Sequence, residues 1–435
     1  MSLAVDGLIS NLDTTALIKS LMQVESYPQL LLKNKISSSQ ALISALQGLN
    51  GKVASLAELA AKTAKPASLD LFSATTSSPK VTATALAGAE AGQVDVVVTA
   101  LAQTHVLVSD PMAAWPSTGL TITGAGGTVT AITAASTSLD DVVAAVNAAG
   151  AGVTATKVAV GGGGFRLQLA ATESGAAGKF TVSGTAAVMT EAKTGQDAQI
   201  TLWAGSAAAQ TITSGSNTFT NLLPGVSVTV TAASVDPVSI TIARDDARIA
   251  AVAKDLVTAL TDVFSLIAAK SAVTTTTGAS GGGTKGGVFT GDSSVRDVNQ
   301  RILSAASLPI DGHSPSEYGI VITRTGTLEF NAEKFQAALT KDPAAVEKAL
   351  QTIATRVAEA ATNASDKYEG TITLRVTGQE SMVRTLDNQV SEWDRRLDSR
   401  RTTLERKYSA LEVQLGALNS QSSWLNGQLG SLGAS

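Results

Sequence analysis

Val390, Leu397, Leu404, Leu411, Leu418, Leu425 and Leu432 recur at every seventh position of the chain. Seven residues make two helical turns, so the row predicts one side of a single long helix from about Met382 to Leu432. A strict seven-residue row drifts around a straight helix, and keeping it against a partner winds the two helices together. A second apolar series changes position partway. Leu386 and Trp393 precede Val390 and Leu397 by four, whereas Tyr408, Leu415 and Leu429 follow Leu404, Leu411 and Leu425 by four. The switch falls at Arg400 and Arg401, which predict a polar layer where the seam changes face. No Pro interrupts the run, and pairs such as Glu392 with Arg396 add surface support. A helix this long cannot bury its stripe against itself, so a coiled coil with a partner helix is predicted.

The N-terminal 66 residues also read as helix. Asp13 is placed to cap a helix bearing Leu17, Leu21 and Val24, spaced four and three. Tyr27-Pro28 breaks or restarts it. Leu42, Leu46, Leu49, Val53 and Leu56 then form the seam expected to receive the C-terminal one, ending near Pro66. From Ser73 to about Asp245 the pattern becomes short alternating Thr- and Val-rich runs punctuated by Gly, which predict strands. Hairpins are expected at Leu120–Thr123 with Thr128–Ile132, and at Val153–Val160 with Phe165–Leu169 across the Gly161–Gly164 turn. A short helix starting at Ser138 separates them. Four more strands are expected at Ile200–Leu202, Ala209–Thr213, Gly225–Thr231 and Val238–Ile242, with Asn221–Gly225 as a turn.

Helical spacing returns after Asp245, with Ile249, Val252, Leu256, Leu260, Val263 and Ile267 on one face. Thr274–Gly287 reads as a mobile Thr/Gly/Ser linker. Asp292, Asn331 and Asp342-Pro343 are expected caps. Ile320–Ile322 and Thr327–Phe330 form a small hairpin, and Ile372–Leu374 is an extended piece between Gly370 and Gly378. The predicted fold is multidomain α+β, with terminal coiled-coil helices, an α-rich stem domain and inserted β-rich outer domains. Expected boundaries are 1–43 with 379–435 for the terminal leg, 44–77 with 245–378 for the stem, 78–110 with 195–244 for one β-rich domain and 111–194 for the inserted outer one.

Composition narrows the chemistry. The 435 residues carry a net charge of −4, so nucleic acid is not an expected partner. The chain has no Cys and only two His, His105 and His313, so thiol chemistry is absent and His-based sites are poorly supplied. No apolar run reaches the roughly 18 residues of a membrane helix, so no membrane partner is expected. MSLAVDGLIS lacks the basic and apolar regions of a secretory signal. The Gly278–Lys285 run has no strand before it and its Lys is misplaced for a phosphate loop. Asp140-Asp141 and Asp245-Asp246 sit at helix starts, where carboxylates favour the dipole. His105 reads as structural. No catalytic residue, metal site or cofactor is expected, and no enzyme.

An ordered set of blocks spanning nearly the whole chain resembles the flagellar hook-associated protein 2 family, the filament caps. The first runs from Val5-Asp6-Gly7-Leu8 through Leu12-Asp13, Leu17-Ile18, Leu21-Met22 and Glu25 to Pro28-Gln29-Leu30. The second, Ser138–Asn147 with Gly152–Ala155 and Gly164–Leu167, resembles the hook IN module. The third is Ser216–Phe219 with Leu223-Pro224-Gly225-Val226 and Ala243-Arg244-Asp245. The fourth is Tyr318-Gly319-Ile320 with Arg324–Phe330, and the last is Tyr408–Glu412 through Leu425. Ile9-Ser10-Asn11 and Val146-Asn147 depart from the family's usual residues. The resemblance implies a homo-oligomeric ring, most often a pentamer, at the extracellular tip of the bacterial flagellum. It implies export by the flagellar type III system without a cleaved signal. Flagellin, hook-associated junction proteins and a dedicated export chaperone are the implied partners. Rival readings are a hook–filament junction protein and a tip adhesin for host surface ligands.

Overall fold

The computed structural model describes residues 13–161, 164–276, 283–323 and 326–432. Residues 5–12 of the N-terminal block, two glycines of the Gly161–Gly164 turn, the centre of the Gly-rich 278–285 run, and Arg324-Thr325 lie outside the described residues.

The chain opens with α1 (Thr14–Glu25) and α2 (Tyr27–Thr63). Next come β1 (Phe72–Thr76), β2 (Val81–Ala85), β3 (Gly92–Ala100), β4 (Thr104–Ser109), β5 (Gly119–Gly124), β6 (Val129–Thr133), α3 (Leu139–Ala148), β7 (Val153–Ala159) and β8 (Phe165–Ser174). They are followed by β9 (Phe180–Ser183), β10 (Met189–Lys193), β11 (Ala198–Leu202), β12 (Gln210–Ser214), β13 (Thr218–Leu223), β14 (Val226–Val230) and β15 (Val238–Arg244). The remainder is α4 (Asp246–Ser271), β16 (Val273–Thr276), β17 (Gly283–Gly286), α5 (Ser293–Ser307), β18 (Ile320–Ile322), β19 (Leu328–Phe330), α6 (Ala332–Lys341), α7 (Pro343–Ser365) and α8 (Thr371–Leu432). Two compact units result, one from Met1–Lys65 with Ala250–Ser435 and the other from Pro66–Ile249. The fold is a mixture of helices and antiparallel sheets, as the alternation of sequence periods predicts.

The Pro66–Ile249 unit holds two cores. In the first, a five-stranded sheet ordered β1-β15-β3-β11-β12 shares its apolar face with a three-stranded sheet ordered β13-β14-β2. Val94, Val96 and Val98 of β3, Ile200 of β11 and Ile240 of β15 are buried, and the alternate residues of those strands face outward. In the second core, a four-stranded sheet (β10-β4-β8-β7), a three-stranded sheet (β6-β5-β9) and α3 bury Trp115, Leu120, Ile122, Val142, Val146, Leu167 and Leu169 together. Both predicted hairpins form, β5 with β6 and β7 with β8. The Leu223–Val226 turn joins β13 to β14, and β13 itself is a strand absent from the expected set. His105 is buried. Its Nδ1 accepts the Gly195 N–H at 3.3 Å, and Nε2 lies 3.1 Å from the Phe180 carbonyl oxygen.

In the other unit, α2 packs on α7 and α8. Leu46, Leu49, Val53 and Leu56 of α2 are buried, as are Ala349, Ile353, Ala354, Val357 and Ala361 of α7. Each such Leu contributes about 1.5–3 kcal/mol on burial, and the alanines let the helix axes approach. The predicted caps are made: Asp13 accepts from Ala16 N–H, Asp292 from Ser294 and Val295, Asn331 from Lys334, and Asp342 from Ala345.

Two expectations are corrected. Ile372–Leu374 is not extended, because α8 begins at Thr371. Ile372, Val376 and Gln379 are spaced four and three, Ile372 and Gln379 are buried, and helical burial overrides the local β preference. Thr274–Gly287 is not structureless at its ends, because Val273–Thr276 pairs antiparallel with Gly283–Gly286.

Candidate assembly coil

The seam within the chain has its own heptad. On α1 and α2 the covered positions are Thr14, Ile18, Met22, Gln29, Leu32, Ile36, Ser39, Ile43 and Leu46. The partner stripe on α8 is Ile372, Val376, Gln379, Val383, Leu386, Val390, Trp393, Leu397, Leu404, Tyr408 and Leu415. The expected N-terminal stripe is therefore the outward one. Leu17, Leu21 and Val24 lie one position off the covered row and are 42%, 39% and 75% exposed. The inward row was readable from Ile18, Met22, Gln29, Leu32 and Ile36, but a Gln and a Ser inside it hide the period.

The C-terminal row divides. Val390, Leu397 and Leu404 are half-buried on the seam, whereas Leu411, Leu418 and Leu425 turn to solvent. The side chain of Leu432 is outside the description. This follows from helix geometry, since a seven-residue row slips about 20° per heptad on a straight helix. Beyond Leu404 the covered positions pass to Tyr408, Glu412 and Leu415, spaced four and three, and the leucine row is left behind.

Polar cross-links mark the change of register. Gln29 Nε2 donates to Asp394 Oδ1 at 2.5 Å, with Gln29 buried, and Lys33 Nζ donates to Gln29 Oε1 at 3.3 Å. Arg400 Nε lies 3.3 Å from Glu25 Oε1. Both members of that pair are about half exposed, so it adds ~0–1 kcal/mol. Arg401 is exposed. The Arg396 guanidinium stands 5.5 Å from the Trp393 ring centre. An open groove of about 570 Å³ runs along α8 past Glu392, Arg395, Arg396, Ser399, Arg400 and Thr403. Sequence reasoning marks the charged run Asp394–Arg401 at the change of register but gives Gln29 and Glu25, which bond to Asp394 and Arg400, no part in the seam.

Among the described residues, no group of three or more His, Asp or Glu could hold a metal, and no helix is long and apolar enough to cross a membrane.

The model of the flagellar hook-associated protein 2 C-terminus matches residues 195–420, that of its N-terminus matches 10–105, and that of the flagellin hook IN motif matches 119–173. The flagellar hook-associated protein 2 of Escherichia coli O157:H7 is 27% identical over 455 residues, covering 97% of each chain. The polar flagellar hook-associated protein 2 of Vibrio parahaemolyticus is 27% identical over 259 residues, 56% of this chain and 35% of that protein. The crystal structure of the D1-D2-D3 domains of the flagellar cap protein FliD from Escherichia coli superposes with a TM-score of 0.62 at 23% identity. It covers 77% of this chain and 99% of that one, a likeness of fold. With one model spanning more than half of its residues, the chain belongs to the flagellar hook-associated protein 2 family, the family of the flagellar filament cap.

Proposed function

We propose that copies of this chain form a ring, most simply a pentamer, at the extracellular tip of the flagellar filament, where the ring retains exported flagellin and promotes its folding and polymerisation. The observation that carries this reading is the division of apolar rows on the terminal helices. One set closes α1 and α2 against α8, and a second set, Leu17, Leu21 and Val24 with Leu411, Leu418 and Leu425, stays open for other chains. The chain acts as a structural protein rather than an enzyme. Besides itself and flagellin, its partners are the hook-associated junction proteins and an export chaperone that covers the open rows before assembly. Export follows the flagellar type III route without cleavage. Residues 1–43 with 379–435 serve as the leg, 44–77 with 245–378 as the stem, 78–110 with 195–244 as a β-rich domain and 111–194 as the outer one. The polar layer at Arg400 and Arg401 keeps the leg's contacts moderate, so that they break and re-form as the cap advances.

The test is to add purified protein to a matched strain lacking its own cap. Electron microscopy reads filament length, and immunoblotting of the medium reads flagellin leakage. Restored filaments with less leakage are expected. A folded, tip-localised protein that restores nothing would sink the cap reading in favour of a junction or adhesin role. Replacing both Arg400 and Arg401 by Leu should slow filament growth while the fold holds. Unchanged growth would refute the mobile-leg mechanism.

A further inference from the structure

On the outward face of the five-stranded sheet, Ser239 of β15, Asp95 of β3 and Trp203 lie in one row. Trp203 prolongs β11 and donates its backbone N–H to the Asp95 carbonyl at 3.4 Å. Val97 pairs with Thr201 in the next row. A groove of about 430 Å³ opens here, lined by Asp95, Val97, Trp203, Ser206, Ala208 and Pro237. Trp203 is 48% exposed and has φ +47°, a conformation that bulky residues rarely adopt. It is held there by Ser206, whose N–H and hydroxyl both donate to the Trp203 carbonyl, at 3.1 and 2.8 Å. Gly205, at φ +82°, already gives this turn a residue free to adopt positive φ. A large indole held in so uncommon a backbone conformation and left half in solvent points to a surface used for recognition.

The polar groups of the groove define what it can take. The Ser206 hydroxyl is engaged by the Trp203 carbonyl, and the Ser239 hydroxyl by Asp95 Oδ1 at 2.5 Å. Among the described residues Asp95 Oδ2 accepts no hydrogen bond and Asp95 has no ion-pair partner. The groove thus presents an open carboxylate oxygen and an indole face between apolar walls, with its hydroxyl donors occupied. A neutral sugar could donate to the carboxylate but brings no charge to balance it, and an acidic ligand is repelled by Asp95. A guanidinium or ammonium brings donors, a positive charge suited to an indole face, and an apolar stem for Val97, Ala208 and Pro237. We propose that this groove is a docking point for an arginine side chain presented by another protein chain.

The experiment uses the full chain labelled with ¹⁵N at tryptophan. Trp203→Phe identifies the Trp203 indole signal among those of the four tryptophans. The probe is Nα-acetyl-L-arginine amide, and its neutral isostere is Nα-acetyl-L-citrulline amide. A saturable shift confined to Trp203 is expected with the arginine probe, with affinity about tenfold weaker for citrulline and for Asp95→Asn. Asp95→Asn keeps an oxygen for Ser239, and an unchanged melting curve certifies its fold. Equal shifts from the two probes, an undiminished response in folded Asp95→Asn, or no shift at Trp203 would each overturn the proposal. The proposal does not depend on the cap reading, so its failure leaves that reading intact.

Discussion

Gln29 is a buried amide at the meeting of α2 and α8. A buried amide in an apolar seam gives up burial energy, and its best-attested use is to fix register. Replacing Gln29 and Asp394 together by Leu should raise the thermal midpoint of the helical unit by about 2–4 °C, the equivalent of ~1 kcal/mol. The same change should loosen register. Because the chain has no Cys, a Glu25→Cys/Arg400→Cys pair joined by a short bismaleimide reads register cleanly. Cross-linking should be near complete with Gln29 in place and fall once it is gone. A lower midpoint with full cross-linking would show that the pair serves stability instead. Asp366 acts at the other end of α8. Backbone N–H groups of Glu369 and then Tyr368 donate to its carboxylate and hold it below its ordinary value of 3.8. A depressed folded-state value means that its contribution is fully present above that ordinary value and is lost as pH falls through the lowered one. The protection of the Tyr368 and Glu369 amides, taken as exchange relative to the intrinsic rate at the same pH, should therefore fall below about pH 4. Asp366→Asn should show low protection at every pH, and protection in the unsubstituted chain that does not change with pH would count against this account.

At the scale of the element, α8 carries two surfaces with different duties. The half before Leu404 is covered by the chain's own helices and the half after it exposes Leu411, Leu418 and Leu425. Changing these three to Ser should leave the melting of the monomer within about 0.5 kcal/mol, as for exposed sites generally, and should abolish oligomers in sedimentation velocity. Oligomers that survive the triple change would relocate the assembly surface. Many of the elements on which burial imposes a period were legible, though β4, with alternating burial, and β13 were not among the expected strands. Long α2, α4, α7 and α8, the hairpins β5–β6 and β7–β8, and the caps at Asp13, Asp292, Asn331 and Asp342 all follow from spacing or from one side chain reaching three residues ahead. One strand without a buried face was not legible. β10, at a sheet edge, has almost every side chain in solvent and therefore no alternation to read. The polar layer was half legible, because Arg400 and Arg401 interrupt an apolar row, whereas Gln29 looks like any surface glutamine until α8 is laid beside it.

At the scale of the molecule, the β-rich unit is entered and left through paired strands. Phe72 of β1 lies opposite Arg244 of β15, and Asp245 N–H donates to the Leu71 carbonyl. A fragment of residues 66–249 should consequently fold alone, with a β-type circular dichroism spectrum and one or two cooperative melting transitions matching its two cores. A fragment that binds hydrophobic dye and melts without cooperativity would show that the helices are needed to complete it.

The bond between Gln29 and Asp394 spans 365 positions of the chain, and this separation governs timing. A polypeptide made at about 5–20 residues per second needs roughly 20–70 s after Gln29 appears before its partner exists. Throughout that interval the faces of α1 and α2 that pack on α8 lack that helix. The coil thus stays open at this level until Asp394 has emerged, and for that interval the early helices are available to whatever apolar surface reaches them first.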